Sequence, residues 1–273
     1  MLVLALDTTT RAGSSALARD GVLLREQASD ATRPQASRLP SELMALLDDE
    51  HLVLGDVDVF AVATGPGSFT GMRVGIATMQ GLAFAAGKPL IGVSALDALA
   101  RHVIDDAARI FPPSREAAAD GRSLGGGGTV RHLVATWVDA WRGEVYAALY
   151  ARGREVEAPS VESPRAILER LRAESVAPGP PEGGRYESSA RPGGSSRVTF
   201  IGDGAEAHAT TIRAALGDAA AIADPVAPLL AGTIAAFATD AARAGYMPLP
   251  HAIRPLYVRH PDAELARNAR TGR

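Results

Sequence analysis

The order in which short apolar runs alternate with helical stripes constrains this chain more than any single motif. Residues 2–6 form an apolar run that ends in Asp7-Thr8-Thr9-Thr10. A run this short reads as a strand buried on both faces. Residues 14–18 follow a turn at Arg11-Ala12-Gly13, and Asp20-Gly21 is a hairpin signal that returns Val22-Leu23-Leu24 as a third antiparallel strand. Residues 37–49 carry Leu39, Leu43, Leu46 and Leu47 at helical spacing. Pro40 fits only a first turn, which makes Ser37 the candidate N-cap. A strand over 57–63, a helix over 71–86 closed by Gly87 and Pro89, a strand over 90–93 and a helix capped by Ser94 follow. The resulting β-β-β-α-β-α-β-α order mixes an antiparallel meander with parallel crossovers.

The second half repeats this plan in outline. Strands are predicted over 132–138, 144–150 and 197–201, and helices over 164–173, after Gly202-Asp203-Gly204, and over 227–244. Two stretches between them, 112–128 and 177–196, are Pro- and Gly-rich and polar, and read as flexible insertions. The expectation is an N-terminal lobe over 1–108, an insertion over 109–130, and a C-terminal lobe over 131–273 interrupted at about 177–197.

Composition excludes several chemistries. With 273 residues the chain needs no covalent staple, and with no cysteine it has no disulfide, Cys-ligated zinc or thiol catalysis. The net charge of −3 argues against an autonomous nucleic-acid binder. The first residues read as a strand, not a signal peptide, and no run reaches the ~18–20 apolar residues of a membrane span. A cytoplasmic protein with no membrane contact is expected. The histidines show no i, i+4 pair and no His-Glu-x-x-His, so no metal site is expected. The tail over 251–273 holds five arginines and reads as a solvated basic end.

Three motifs carry the functional reading. A carboxylate at a strand end followed by hydroxyl residues, as in Asp7 to Ser14, can hold a magnesium–phosphate group or simply satisfy its own turn. Gly65-Pro66-Gly67-Ser68-Phe69-Thr70-Gly71 precedes a helix N-terminus, a natural anion site, yet lacks the Gly-Lys-[Ser/Thr] ending of a P-loop. In the helix after it, Ala77, Gly81 and Ala85 share one face. Interior glycines cost about 1 kcal/mol each against alanine, so Gly75 and Gly81 need a compensating close approach, to the sheet or to another chain. The hairpin Asp139 to Tyr146 is a turn, or an exposed Trp141 and Arg142 that grip a partner or a base. From the residues alone, a two-lobed α/β protein with an anion-friendly cleft is either an actin-like, ATP-dependent phosphotransferase or a degenerate relative that binds a partner and does no chemistry.

Leu4-Ala5-Leu6-Asp7-Thr8-Thr9, the block Gly65 to Gly75, Gly92-Val93-Ser94-Ala95-Leu96, the Asp139 to Tyr146 hairpin, Gly202-Asp203-Gly204 and Pro255-Leu256-Tyr257-Val258-Arg259 together resemble the TsaB (YeaZ) family. The resemblance spans nearly all of the chain outside the two insertions. It implies a two-lobed, actin-like and Hsp70-like ATPase (ASKHA) fold, with mixed sheets flanked by helices. It implies a non-catalytic subunit in the synthesis of threonylcarbamoyladenosine beside the anticodon of ANN-decoding tRNAs. The implied partners are the catalytic paralogue TsaD and the ATPase TsaE, with a homodimer when alone and tRNA reached only through the complex. No cofactor is implied to be tightly bound, with room for ATP or ADP and magnesium at the partner interface. Carried onto this sequence, the interface is Leu39, Leu43, Leu46, Gly71, Arg73, Gly75, Thr78 and Gly81, with residual nucleotide contact at Asp7, Thr8 and Thr9. On that reading, leucine at Gly75 and Gly81 blocks pairing and leaves the monomer folded. Family members often carry a histidine before the first helix, where this chain has Gln35-Ala36-Ser37-Arg38-Leu39-Pro40.

Overall fold

The structure, a computed structural model, describes residues 1–10, 13–30, 35–110, 132–176 and 197–259. Both predicted insertions and the end of the basic tail lie outside the described residues. The chain divides into two compact units, Met1–Ala98 with Pro159–Val161 and Pro228–Arg273, and Leu99–Ala158 with Glu162–Ala227.

The first unit is built on a five-stranded sheet, β1 (Leu2–Asp7), β2 (Ser14–Arg19), β3 (Val22–Ala28), β4 (Val59–Gly65) and β5 (Leu90–Ser94), in the order β3-β2-β1-β4-β5. The meander β1-β2-β3 is antiparallel, and β1-β4-β5 is parallel. β1 is buried along its whole length, as a strand covered on both faces must be. One cover is the helix pair α1 (Gln35–Asp49) and α2 (Phe69–Ala86), which closes a core around Leu4, Leu6, Leu17, Phe60 and Met79. α1 starts at Gln35, so Pro40 sits inside the helix and not in its first turn, and Ser37 is not the N-cap. Helix α3 (Ala95–Ile110) follows β5, and the Ser94 hydroxyl accepts from Asp97 N at 3.4 Å.

The second unit carries β6 (His132–Asp139), β7 (Val145–Ala151), β8 (Arg154–Glu162), β9 (Arg197–Ile201) and β10 (Ala220–Ile222), ordered β10-β9-β6-β7-β8. Read from the other edge, this is the first sheet with five added to every strand number. Pair directions repeat as well: β6-β7 is antiparallel, and β6-β9 and β9-β10 are parallel. The sequence reading lacked β8 and β10, the two strands that complete the repeat. β8 is a half-exposed edge strand with no apolar alternation, and β10 is three residues long. Helices α4 (Pro164–Val176), α5 (Asp203–Ala207) and α6 (Ala209–Leu216) pack Ile167, Leu168, Leu171, Ala205 and Ile212 against Trp137 and Phe200. The two rings meet edge to face at 5.0 Å.

Helix α7 (Ala231–Arg243) corrects the expected division. It returns to the first unit and packs on β1, β2 and β4, burying Ala231, Ile234, Ala235 and Ala238. Its N-terminus is capped from a distance. Leu230 N and Ala231 N donate to Ser14 Oγ at 3.2 and 3.0 Å, and Gly232 N donates to Glu26 Oε1 at 2.7 Å. The first lobe is therefore assembled from both ends of the chain.

Candidate functional site

The two loop motifs of the first half meet each other. Asp7 is fully buried at the end of β1. Its Oδ1 accepts from Thr9 N and Thr9 Oγ1 at 2.8 and 2.6 Å, and its Oδ2 accepts from Thr10 Oγ1 at 2.6 Å. Thr8 Oγ1 donates to Gly71 O at 2.8 Å, and Ser68 N donates to Thr9 O at 2.8 Å, which ties the Gly-rich loop onto the first turn. Asp7, Thr8 and Thr9 therefore satisfy their own loops. The Ser68 hydroxyl accepts from Gly71 N at 3.2 Å and serves as the N-cap of α2.

α2 separates the expected interface residues into two groups. Gly71 and Gly75 lie on its buried side, and a Cβ at Gly75 would fall on Thr8 Oγ1 and lie 3.1 Å from Thr8 Cβ. Gly75 thus resolves the close approach in favour of the chain's own β1 loop. Leu39, Leu43 and Leu46, also expected at the interface, are buried in the core of their own lobe, because α1 turns its leucine stripe inward. Thr78 is half-buried. Gly81 lies on the outer side, with nothing within 4 Å of a Cβ placed there. Arg73, Ala77 and Ala85 are exposed with it, and Phe84 is 82% exposed. The residue that sequence reasoning missed is Phe84, whose signal was its place one turn from the Ala77–Gly81–Ala85 line.

The C-terminal segment is stitched along this helix. Leu90 N donates to Pro248 O, Gln80 Nε2 donates to Pro250 O and Ile253 O at 3.0 and 3.1 Å, and Leu256 N donates to Thr64 O at 2.7 Å. Arg73 Nε donates to Tyr257 Oη at 2.8 Å while its guanidinium lies over the Phe69 ring, 3.9 Å from the centroid. The expected interface arginine therefore clamps the segment that follows α7. A groove of about 380 Å³ opens between the two, lined by Gln80, Gly81, Phe84, Pro250, His251 and Arg254.

In the second unit the β6-β7 hairpin repeats the turn of the first. Asp139 ends β6 as Asp7 ends β1, and its Oδ1 accepts from Trp141 N at 2.8 Å, two residues on, as Asp7 Oδ1 does from Thr9 N. In the first turn threonine hydroxyls bond the strand-end carboxylate, whereas after Asp139 the residues Trp141, Arg142 and Gly143 are exposed.

A repeated mixed sheet, a strand-end aspartate in each half and helical covers define a two-lobed protein of the actin-like ATPase fold. YeaZ from Pseudomonas aeruginosa superposes with a TM-score of 0.64 at 27% identity, over 94% of this chain and 99% of that one. The TsaB of Escherichia coli K12, a tRNA threonylcarbamoyladenosine biosynthesis protein, is 34% identical over 178 residues, covering 63% of this chain and 66% of its own. An uncharacterized protein of Mycobacterium tuberculosis H37Rv is 30% identical over 264 residues, 96% of this chain and 93% of its own. The family model described as TsaD, tRNA N6-adenosine threonylcarbamoyltransferase, matches residues 27–123, the stretch that carries α1, α2 and α3. The chain belongs to the TsaB (YeaZ) family.

Proposed function

We propose that this chain is a non-catalytic, cytoplasmic subunit of the machinery that makes threonylcarbamoyladenosine in tRNA. On this reading it pairs through the outer face of α2 with a catalytic TsaD-type threonylcarbamoyltransferase, and a TsaE-type ATPase joins the pair. The group transferred is threonylcarbamoyl, and its acceptor is the adenosine beside the anticodon of ANN-decoding tRNAs. The observation that supports it is the face itself. Ala77, Gly81 and Ala85 leave the helix surface low enough for another helix to approach closely, and Phe84 projects beside them at the mouth of the groove. Alone, the chain uses the same face for a homodimer, so the two pairings compete.

A stand-alone phosphotransferase would work through Asp7, and both oxygens of that carboxylate are engaged inside the loop. We place any ATP or ADP with magnesium at the interface with the partners. The test is a drop-out reconstitution with the transferase, the ATPase, the threonylcarbamoyl-adenylate synthase, tRNA, ATP, bicarbonate and threonine, with nucleosides read by mass spectrometry. Product only when this chain is present supports the proposal. Equal product without it, or ATP turnover by the chain alone, overturns it.

A further inference from the structure

The hairpin tip carries a device that the pairing face does not use. Trp141 and Arg142 both sit in the left-handed region, at φ 57° and 58°, followed by Gly143 at 77°. That conformation is disfavoured for any residue with a side chain, and for a bulky aromatic most of all. Glycine at either position would make the turn more easily. An outlier of this kind persists only where its surroundings enforce it.

Here they do, through the second motif of the lobe. Ala140 N and Glu144 N close the loop on Glu144 O and Trp141 O, at 3.0 and 3.1 Å. Asp203 Oδ1 accepts from Asp139 N at 2.9 Å, directly below the turn. Gly202 brings the β9–α5 corner so near that a Cβ there would fall on the Trp137 carbonyl. Gly202-Asp203-Gly204 is thus the mount of the hairpin, and Ala140 and Val145 at its base are buried. Above that base the indole of Trp141 remains 52% exposed, beside the exposed Arg142. Among the described residues nothing in the packing of the lobe requires an indole there, and leaving it in water forgoes its burial.

We propose that Trp141 and Arg142 form a rigid contact for an unpaired nucleotide of the tRNA substrate, the indole stacking on a base and the guanidinium meeting base or phosphate. The proposal rests on the function proposed above. Stacking on tryptophan and arginine planes is how proteins hold splayed-out RNA bases. Asp139 and Asp203 each accept a backbone N–H through Oδ1 at the base of the tip. With a net charge of −3 the chain holds RNA weakly by itself, so the contact adds to binding by the assembled complex.

The chain's two tryptophans make the test direct, because Trp137 is fully buried and Trp141 is not. Acrylamide quenching of the full chain is measured alone, with an anticodon stem-loop RNA and a fully paired RNA of equal length each raised to saturation, with ATP, and with the TsaD-type subunit. Protection of Trp141 by the stem-loop but not by the paired RNA is expected. In the reconstituted reaction, Trp141→Gly, which suits the backbone, is expected to raise KM for tRNA about tenfold with kcat unchanged, and Trp141→Phe to restore most of the loss. Protection by ATP or by the protein subunit without RNA, or an unchanged KM in Trp141→Gly, overturns the proposal. The function proposed above fails separately, by product forming without this chain at all.

Discussion

At the scale of single residues, one glycine belongs to the fold and another to the surface, although the two look alike in sequence. Gly75 is pressed against Thr8, whereas Gly81 faces open space. Gly75→Leu is expected to destabilise the monomer by about 1–3 kcal/mol or more, because the β1 loop cannot move away from a new side chain. Gly81→Leu is expected to keep or raise monomer stability by up to about 1 kcal/mol, since leucine favours helix over glycine. The same change should abolish pairing. Urea unfolding and sedimentation read the two effects. A Gly81→Leu chain that still pairs would remove the outer face of α2 from the interface. Spacing identified α2 as a helix with unusually small residues, but it could not say which of them met the chain's own loop. That depended on where Thr8 came to lie, a long-range fact.

At the scale of elements, most strands and most helices were legible because each carried its own signal. β1 and β4 are unbroken apolar runs, and α1 has a leucine stripe. β8 and β10 carried none. An edge strand keeps its residues half in water, so its pattern does not alternate cleanly. α7 was visible as a helix but not as part of the first lobe. Its capping partners, Ser14 and Glu26, lie near the opposite end of the chain. Ser14→Ala is expected to cost about 2 kcal/mol, because two buried amide N–H groups lose their acceptor. Chemical denaturation measures this. A cost near zero would mean that the distant cap contributes nothing to the helix.

At the scale of the whole molecule, the return of the C-terminal segment to the first lobe has a direct consequence. The fragment 1–108 contains all five strands of the first sheet but lacks α7 and the 248–257 segment that lies along α2. One face of β1 and β4 would then be exposed to water. We expect this fragment not to fold alone, and a chimera restoring residues 228–259 through a linker to regain cooperative unfolding by circular dichroism. Cooperative unfolding of 1–108 by itself would show that α7 is dispensable.

By itself, the sequence determined the class of the fold, the repetition of its plan in outline, and the loops where chemistry or contact could reside. Those properties follow from local periodicity and turn chemistry, which act over a few residues. Only the tertiary structure decided that Leu39, Leu43, Leu46, Gly71 and Gly75 turn inward, and that Asp7 is consumed by its own loop. It likewise showed that Arg73 holds Tyr257 and that Asp203 braces the turn bearing Trp141. Each of those outcomes depends on which distant segment arrives opposite a given side chain. Burial and hydrogen-bond satisfaction are settled by that meeting, not by neighbours along the chain.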